Sequence, residues 1–204
     1  MAPAVEVLIA PSSEAYRKDP SVLNPVLEIV KQAGSLGVYH GLEVEDKTTL
    51  YAFIVWEKLE DHQALINDQT IYPKLGEHIK ASVSGPLDMF HVSFEPNLAS
   101  VLDAPFTSVT QVKAFQAGKT GQDFVAALSE INEAEVVKGN HGAAYGKAIE
   151  KDTYVLLTGW DDPADHENAK TGSDGIRKFI GLAREVVSEL RAGHVKLSAY
   201  QKYE

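Results

Sequence analysis

An internal duplication constrains the possible folds of this 204-residue sequence more than any other feature. Trp56 ends an apolar run and is followed by Asp61-His62, and Trp160 ends a second run and is followed by Asp165-His166. The tryptophans and the Asp-His pairs are each 104 positions apart. Rare residues therefore recur in the same order, which indicates two copies of a unit of about a hundred residues.

The remaining histidines extend the alignment of the two copies. His91 aligns with His194 at an offset of 103 positions, and Tyr39-His40-Gly41 aligns with Asn140-His141-Gly142 at an offset of 101. Only His78 lacks a counterpart. The alignment predicts a first repeat over residues 1–95, a linker over 96–106 and a second repeat over 107–204.

Each repeat has the hydrophobic pattern of a β-α-β-β-α-β unit. Such a unit forms a four-stranded antiparallel sheet with both helices on one face. The predicted elements, in chain order, are strand Ala4–Ala10, helix Pro20–Ala33, strands Leu36–Val44 and Thr49–Trp56, a helix capped by Asp61 that runs to about Ser84 and is broken near Pro73, strand Asp88–Phe94, strand Ser108–Ala117, helix Gly121–Val137, strands Gly142–Ile149 and Thr153–Trp160, a helical region ending in Gly175–Arg191, and strand His194–Tyr200.

The strands are apolar on both faces, as in Thr49–Trp56, so both faces of each sheet are expected to be buried. Two tandem ferredoxin-like repeats can bury the second face by packing sheet against sheet as an intramolecular α+β barrel. The predicted fold class is therefore α+β. In the last strand of the first repeat, His91 shares a face with Met89 and Ser93. We expect that mixed face to line a ligand cavity and the apolar face of Phe90 and Val92 to meet the helices.

Composition excludes several classes of function. The formal net charge of −10 disfavours nucleic-acid binding, and the absence of cysteine excludes disulfides and thiolate chemistry. Apolar runs are too short to cross a membrane, and the first residues lack the basic flank of a secretion signal, so a cytoplasmic protein is expected. No His-Glu-x-x-His, dinucleotide-binding or Gly-x-Ser-x-Gly motif occurs, and a carboxylate–histidine metal site would have to be assembled from distant strands.

The chain resembles the dimeric α+β barrel superfamily, and within it the tandem antibiotic-biosynthesis-monooxygenase-like (ABM-type) proteins of fungi. The resemblance rests on Tyr39-His40-Gly41, the strand Thr49–Trp56 with the following Glu57–His62, and the counterpart Val155–His166. The superfamily includes cofactor-free monooxygenases, polyketide cyclases, lactone isomerases, haem-binding enzymes and stress-related proteins without an assigned reaction. It implies a monomer with an internal pseudo-dimer, or a homodimer, that takes a small hydrophobic molecule. No cofactor and no metal are expected.

Histidine supplies the candidate catalytic groups, because an imidazole titrates near neutral pH and can act as a general base. The alternative for each histidine is a buried side chain that is hydrogen-bonded within the core. Tyr72 and His78 have the six-residue spacing of a plant cyclase pair, but they lie later in the helix than that pair does. The candidate catalytic residues are His40, His91, His141 and His194, and the candidate substrate-binding residues are Tyr39, Tyr51, Trp56, His62, Tyr72, His78, Trp160 and His166.

Two hypotheses of different class follow. The first is a small cofactor-independent enzyme of the monooxygenase, cyclase or isomerase type that acts on an apolar aromatic or polyketide-like molecule. The second is a non-catalytic stress-related barrel protein that binds a small ligand.

Overall fold

The computed structural model describes residues 3–129, 131 and 136–204. These residues form two compact units. The first contains the chain up to Phe94 together with Val195–Glu204, and the second contains Glu95–His194. The last ten residues thus belong to the first unit, whereas the sequence assigns them to the second repeat. No helix in the described ranges is both long and apolar enough to cross a membrane.

The first unit is a five-stranded antiparallel sheet with helices packed on one face. Its elements are β1 (Ala4–Pro11), α1 (Glu14–Lys18), a 3-10 turn (Pro20–Leu23), α2 (Asn24–Gln32), β2 (Gly37–Leu42), β3 (Thr49–Trp56), α3 (Leu59–Asn67), α4 (Tyr72–Ile79), β4 (Asp88–Val92) and β9 (Ser198–Gln201). The strands are ordered β4-β1-β3-β2-β9 across the sheet.

The second unit repeats this arrangement with four strands. The elements are α5 (Leu98–Leu102), β5 (Phe106–Phe115), α6 (Gly121–Leu128), β6 (Asn140–Lys147), β7 (Tyr154–Trp160), α7 (Pro163–Gly172), α8 (Asp174–Val186) and β8 (Val187–Val195). The strand order is β6-β7-β5-β8, so in both units the first strand of the repeat lies between its third and fourth strands. The α+β class and the duplicated ferredoxin-like unit are therefore confirmed.

Several predicted boundaries are wrong. The helix expected over Gly175–Arg191 ends at Val186, because the following residues form β8, which pairs with β5. The expected last strand is divided between β8 and β9, and the expected linker contains α5. Part of the predicted helix Gly121–Val137 lies outside the described residues; its described helical part is α6.

The capping prediction at Asp61 is also corrected. The helix α3 begins at Leu59 with Lys58 as its N-cap, and Asp61 lies in the first turn. Its Oδ2 accepts the backbone N–H of Lys58 at 3.3 Å. Backbone N–H groups at a helix start have no partner within the helix. Asp61, three residues after the N-cap, accepts one of them and so stabilises the start of α3. The break in this helical region precedes Pro73, between α3 and α4.

The helices pack on the sheet face that carries the histidines, which reverses the predicted assignment of faces. Leu8, Ile54 and Trp56 form a buried core with Val26 and Leu27 of the helix layer. His91 shares this face and contacts His62 of α3 through a 2.7 Å hydrogen bond. The helix-covered face of β4 can therefore carry a histidine among apolar residues, because His62 and His91 are hydrogen-bond partners of each other.

Strand register also corrects the alignment of His40 with His141. His40 lies opposite Ala52, and the equivalent position in the second unit, opposite Leu156, is occupied by Tyr145. A register shift between Asn140 and Ala143 accounts for the difference from the sequence alignment. His40 therefore has no histidine counterpart, whereas the pairs Trp56/Trp160, His62/His166 and His91/His194 are confirmed by equal geometry in the two units.

The position of β9 beside β2 depends on Gly41 in β2. A Cβ added at Gly41 would lie 2.1 Å from the carbonyl oxygen of Lys196, which is backbone and cannot yield as a flexible side chain can. We expect Gly41→Ala to displace the segment that leads into β9 and to lower the free energy of unfolding by about 1–3 kcal/mol. Urea unfolding measures the loss, and hydrogen exchange of Ser198–Gln201 should accelerate.

The matched control is Gly76→Ala in α4, where a Cβ meets nothing within 4 Å, so stability should be kept or raised. Equal effects of both substitutions would contradict this account.

Candidate functional site

A tyrosine–histidine pair lies between α1 and β2 of the first unit. The helix begins after Ser13, whose Oγ accepts the backbone N–H of Tyr16 at 3.0 Å. This cap fixes the first turn of α1 and with it the Tyr16 side chain. The hydroxyl of Tyr16 lies 2.6 Å from Nδ1 of His40. Both side chains are buried, Tyr16 at 1% and His40 at 7% exposure.

The pair borders a cleft of about 190 Å³. Pro20 and Leu42 contribute apolar wall, and Gly41, Lys196 and Ser198 complete the lining. Clefts that combine apolar walls with a few polar groups are typical of small-molecule sites. This volume suits one small ring system, or part of a larger molecule.

Burial changes the titration of both members of the pair. It raises the pKa of Tyr16 above its ordinary value of 10.0 and lowers the pKa of His40 below 6.5. The phenol is therefore neutral and the imidazole is neutral at pH 7. When Nδ1–H of His40 donates to the Tyr16 oxygen, Nε2 carries a lone pair and can accept a proton.

A second polar cluster of the first unit joins β1, β3, α3 and β4. The Trp56 and His62 rings are stacked with centroids 5.1 Å apart, and His62 Nδ1 lies 2.7 Å from His91 Nε2. The indole N–H of Trp56 donates to Glu6 Oε2 at 3.1 Å, and the same oxygen lies 3.4 Å from His62 Nε2. Ligand atoms of Glu6, His62 and His91 all lie within 4.8 Å of one another, a grouping that could hold a metal ion.

Glu6 is the unusual member of this cluster, because it is a carboxyl group with only 4% exposure. Burial raises its pKa from 4.5 to about 7, and the hydrogen bond from Trp56 opposes this rise to a smaller extent. A carboxylate loses strong hydration when it is buried, so the neutral acid becomes easier to form.

The second unit contains the same aromatic cluster without a counterpart of the buried Glu6, although the exposed carboxylate of Glu167 interacts with both histidines of that cluster. Trp160 and His166 are stacked with centroids 4.7 Å apart, and His166 Nδ1 lies 2.8 Å from His194 Nε2. By strand register, Ser108 occupies the position of Glu6 and Thr158 that of Ile54. The Trp160 indole N–H donates to Thr158 Oγ1 at 2.7 Å, so the threonine replaces the glutamate as its acceptor.

The other sequence candidates lie in separate places. The hydroxyl of Tyr39 accepts the backbone N–H of Tyr203, and that of Tyr51 donates to Glu43. In α4, Tyr72 is half-buried and His78 is exposed. His141 is exposed in the second unit, and its Nε2 lies 2.7 Å from Asp161 Oδ1. None of these side chains belongs to the lining of the Tyr16–His40 cleft.

Sequence reasoning missed Tyr16 and Glu6. Tyr16 lies outside the predicted elements and meets His40 across 24 positions, so no local pattern connects them. Glu6 had a visible signal, since it is the single charged residue in the apolar strand Ala4–Ala10. A charged side chain in a strand that is buried on both faces indicates a partnered or functional group.

Comparison with known proteins supports the fold. No family model and no curated protein matches the sequence. Among solved structures, an anthrone oxidase-like protein is 16% identical with a TM-score of 0.66, covering 100% of this chain and 95% of that chain. A "putative monooxygenase" from Lactobacillus acidophilus NCFM is 10% identical with a TM-score of 0.69, covering 100% and 97%. Another, from Fusobacterium nucleatum, is 14% identical with a TM-score of 0.68, covering 98% of both chains.

The chain has the fold of these monooxygenase-like proteins. A further similar structure is a "putative chlorite dismutase", which is 11% identical with a TM-score of 0.58. All share the ferredoxin-like, dimeric α+β barrel fold. Because the identities are low, the similarity extends to the fold and leaves the reaction open. The two organisms named are bacteria, and the fungal origin stays a prediction.

The raised pKa of Glu6 predicts a pH-dependent stability. Between the unfolded pKa of about 4.5 and the folded pKa of about 7, the folded chain binds more protons, so stability falls as pH rises through this range. The total change is roughly 3 kcal/mol. Glu6→Gln removes the titration, and its free energy of unfolding relative to the wild type should therefore rise from pH 4.5 to pH 7.5. Urea unfolding in the presence of a chelator measures this difference.

Glu28→Gln serves as the control for this experiment. Hydrogen bonds from Tyr200 and Gln32 lower the pKa of Glu28. The free energy of unfolding of Glu28→Gln relative to the wild type should therefore fall or stay constant between pH 4.5 and pH 7.5. A Glu6→Gln variant whose stability runs parallel to the wild type at every pH would show that Glu6 titrates normally.

Proposed function

We propose that the protein is a cofactor-independent monooxygenase-type enzyme that removes a proton from a small aromatic molecule bound in the Tyr16–His40 cleft. The observation that carries the proposal is the hydrogen-bonded tyrosine–histidine pair on the wall of a 190 Å³ cleft. The names of the similar structures, monooxygenase and anthrone oxidase-like, favour oxygenation over the other reactions known on this fold.

His40 is the general base in this mechanism. His91 and His194 each contact another histidine beneath a helix layer, whereas His40 borders the cleft. Its lowered pKa keeps the imidazole unprotonated at neutral pH, which is the form that accepts a proton. Tyr16 holds the ring through Nδ1, so that Nε2 is the basic nitrogen.

The substrate carries an acidic C–H next to an aromatic ring or carbonyl group. Transfer of that proton to Nε2 leaves a carbanion that the ring system delocalises. Dioxygen takes up the electrons and forms a peroxide at the same carbon, and loss of water leaves a ketone. The overall change is one CH₂ group and one O₂ converted to one C=O group and one H₂O. The enzyme supplies the proton transfer and the apolar surroundings that favour an uncharged substrate.

Substitution of His40 tests the mechanism. With an anthrone as the probe substrate and no added cofactor, His40→Asn should lower kcat/KM by about 10²- to 10⁴-fold, the usual contribution of a positioned base. One mole of oxygen should be consumed for each mole of ketone formed.

For the wild type, activity should persist at pH 6.5 and decline only at lower pH, because burial lowers the pKa of His40.

Two further variants separate a role for His40 from general damage to the fold. Tyr16→Phe keeps the ring and removes the hydroxyl that holds His40, so it should lower kcat more than it raises KM. Tyr145→Phe, at the position equivalent to His40 in the second unit, should leave turnover unchanged. Product formation without oxygen consumption would indicate cyclisation or isomerisation instead. Binding of the anthrone without turnover would support the non-catalytic alternative and overturn the enzymatic proposal.

A further inference from the structure

We propose that Glu6, His62 and His91 form a binding site for one divalent transition-metal ion, with Zn²⁺ as the best match. The site lies in the helix-covered part of the first unit and is formed by different residues from the cleft of the proposed reaction. Nothing in the argument depends on the role of His40.

The second unit shows that the carboxyl group is not needed to build the aromatic cluster. Trp160, His166 and His194 adopt the same stacking and the same hydrogen bond with Ser108 in place of the glutamate. Thr158 satisfies the indole N–H there, so a neutral hydroxyl suffices for the tryptophan. The first unit instead buries a carboxyl group, which is costly without compensation. The hydrogen bond from the Trp56 indole N–H offsets part of that cost, and a bound cation would offset the remainder.

Donor types and spacing fit a tetrahedral ion. Two imidazoles and one carboxylate are a common ligand set for zinc, and a fourth position is then left for water or another donor. Ligand atoms about 2.1 Å from a tetrahedral ion lie about 3.4 Å apart. The distance between Glu6 Oε2 and His62 Nε2 is 3.4 Å, and it is not a normal hydrogen-bond distance. These two atoms therefore have the spacing of neighbouring ligands.

His91 completes the set by exchanging one partner for another. Without an ion, its Nε2 is hydrogen-bonded to His62 Nδ1 at 2.7 Å, and the three ligand atoms spread over as much as 4.8 Å. Coordination draws His91 toward the ion and ends that hydrogen bond. The stacked Trp56 ring holds the plane of His62, so that its Nε2 stays directed toward Glu6. Metal binding therefore has a structural signature in the histidine pair.

Metal titration of the full chain tests the site. Chelator-treated protein should bind one equivalent of Zn²⁺ by calorimetry, and Co²⁺ should give the visible absorption bands of a tetrahedral complex.

Glu6→Gln keeps the size of the side chain and removes the charge, and it should weaken binding at least about a hundredfold. The double variant Glu6→Ser with Ile54→Thr copies the second unit, which keeps an acceptor for the indole N–H, and it should also lose the ion while remaining folded.

Two controls decide where any bound ion lies. His141→Asn removes the exposed histidine–aspartate pair, and it should leave the stoichiometry and the affinity unchanged. In NMR spectra, the hydrogen-bonded imidazole proton of the His62–His91 pair should disappear when Zn²⁺ is added, while that of His166–His194 persists. Absence of binding to the wild type, or binding that survives in Glu6→Gln and is lost in His141→Asn, would overturn the proposal. Neither result would affect the test of His40.

Discussion

A buried indole N–H needs a hydrogen-bond acceptor, and each repeat is organised around the tryptophan that imposes this need. Trp56 and Trp160 end the third strand of their repeats, and each stacks on the histidine at the start of the following helical region. That histidine contacts a second histidine on the fourth strand. In each repeat the tryptophan therefore connects a strand end, a helix and the last strand. His62, His91 and His194 are buried and His166 is half-buried, and each imidazole has the other histidine of its pair as a hydrogen-bond partner.

This arrangement assigns different roles to the histidines that the sequence treats as equivalent. His62, His91, His166 and His194 belong to the cluster that is common to both repeats, and common features of duplicated units are most simply explained by the fold. His40 occurs in one repeat only and meets a tyrosine hydroxyl at a cleft. An asymmetric polar pair is better explained by chemistry, since the equivalent strand of the second unit is built with Tyr145 instead.

Sequence periodicity predicted the order of elements because each element lies within one short window of the chain. The strand Thr49–Trp56 was predicted to the residue, since it is apolar on both faces and clearly bounded. The prediction for Gly175–Arg191 failed at its end, because pairing of β8 with β5 overrides the helical spacing of the apolar residues there, and Leu190 is exposed in the strand. The site residues could not be placed this way, since Tyr16 meets His40 across 24 positions and Glu6 meets Trp56 across 50.

The energetic comparison between the repeats is the strongest argument that the first unit does more than fold. Burial raises the pKa of Glu6 and lowers the pKa of His40, so in both cases folding disfavours the charged form and costs stability at some pH. The second unit meets the same packing requirements with Ser108 and Thr158, which carry no charge. Groups that cost stability persist when they serve another purpose. A duplicated scaffold makes this division possible, because one copy can fold with uncharged hydroxyl groups at positions where the other buries a carboxyl group.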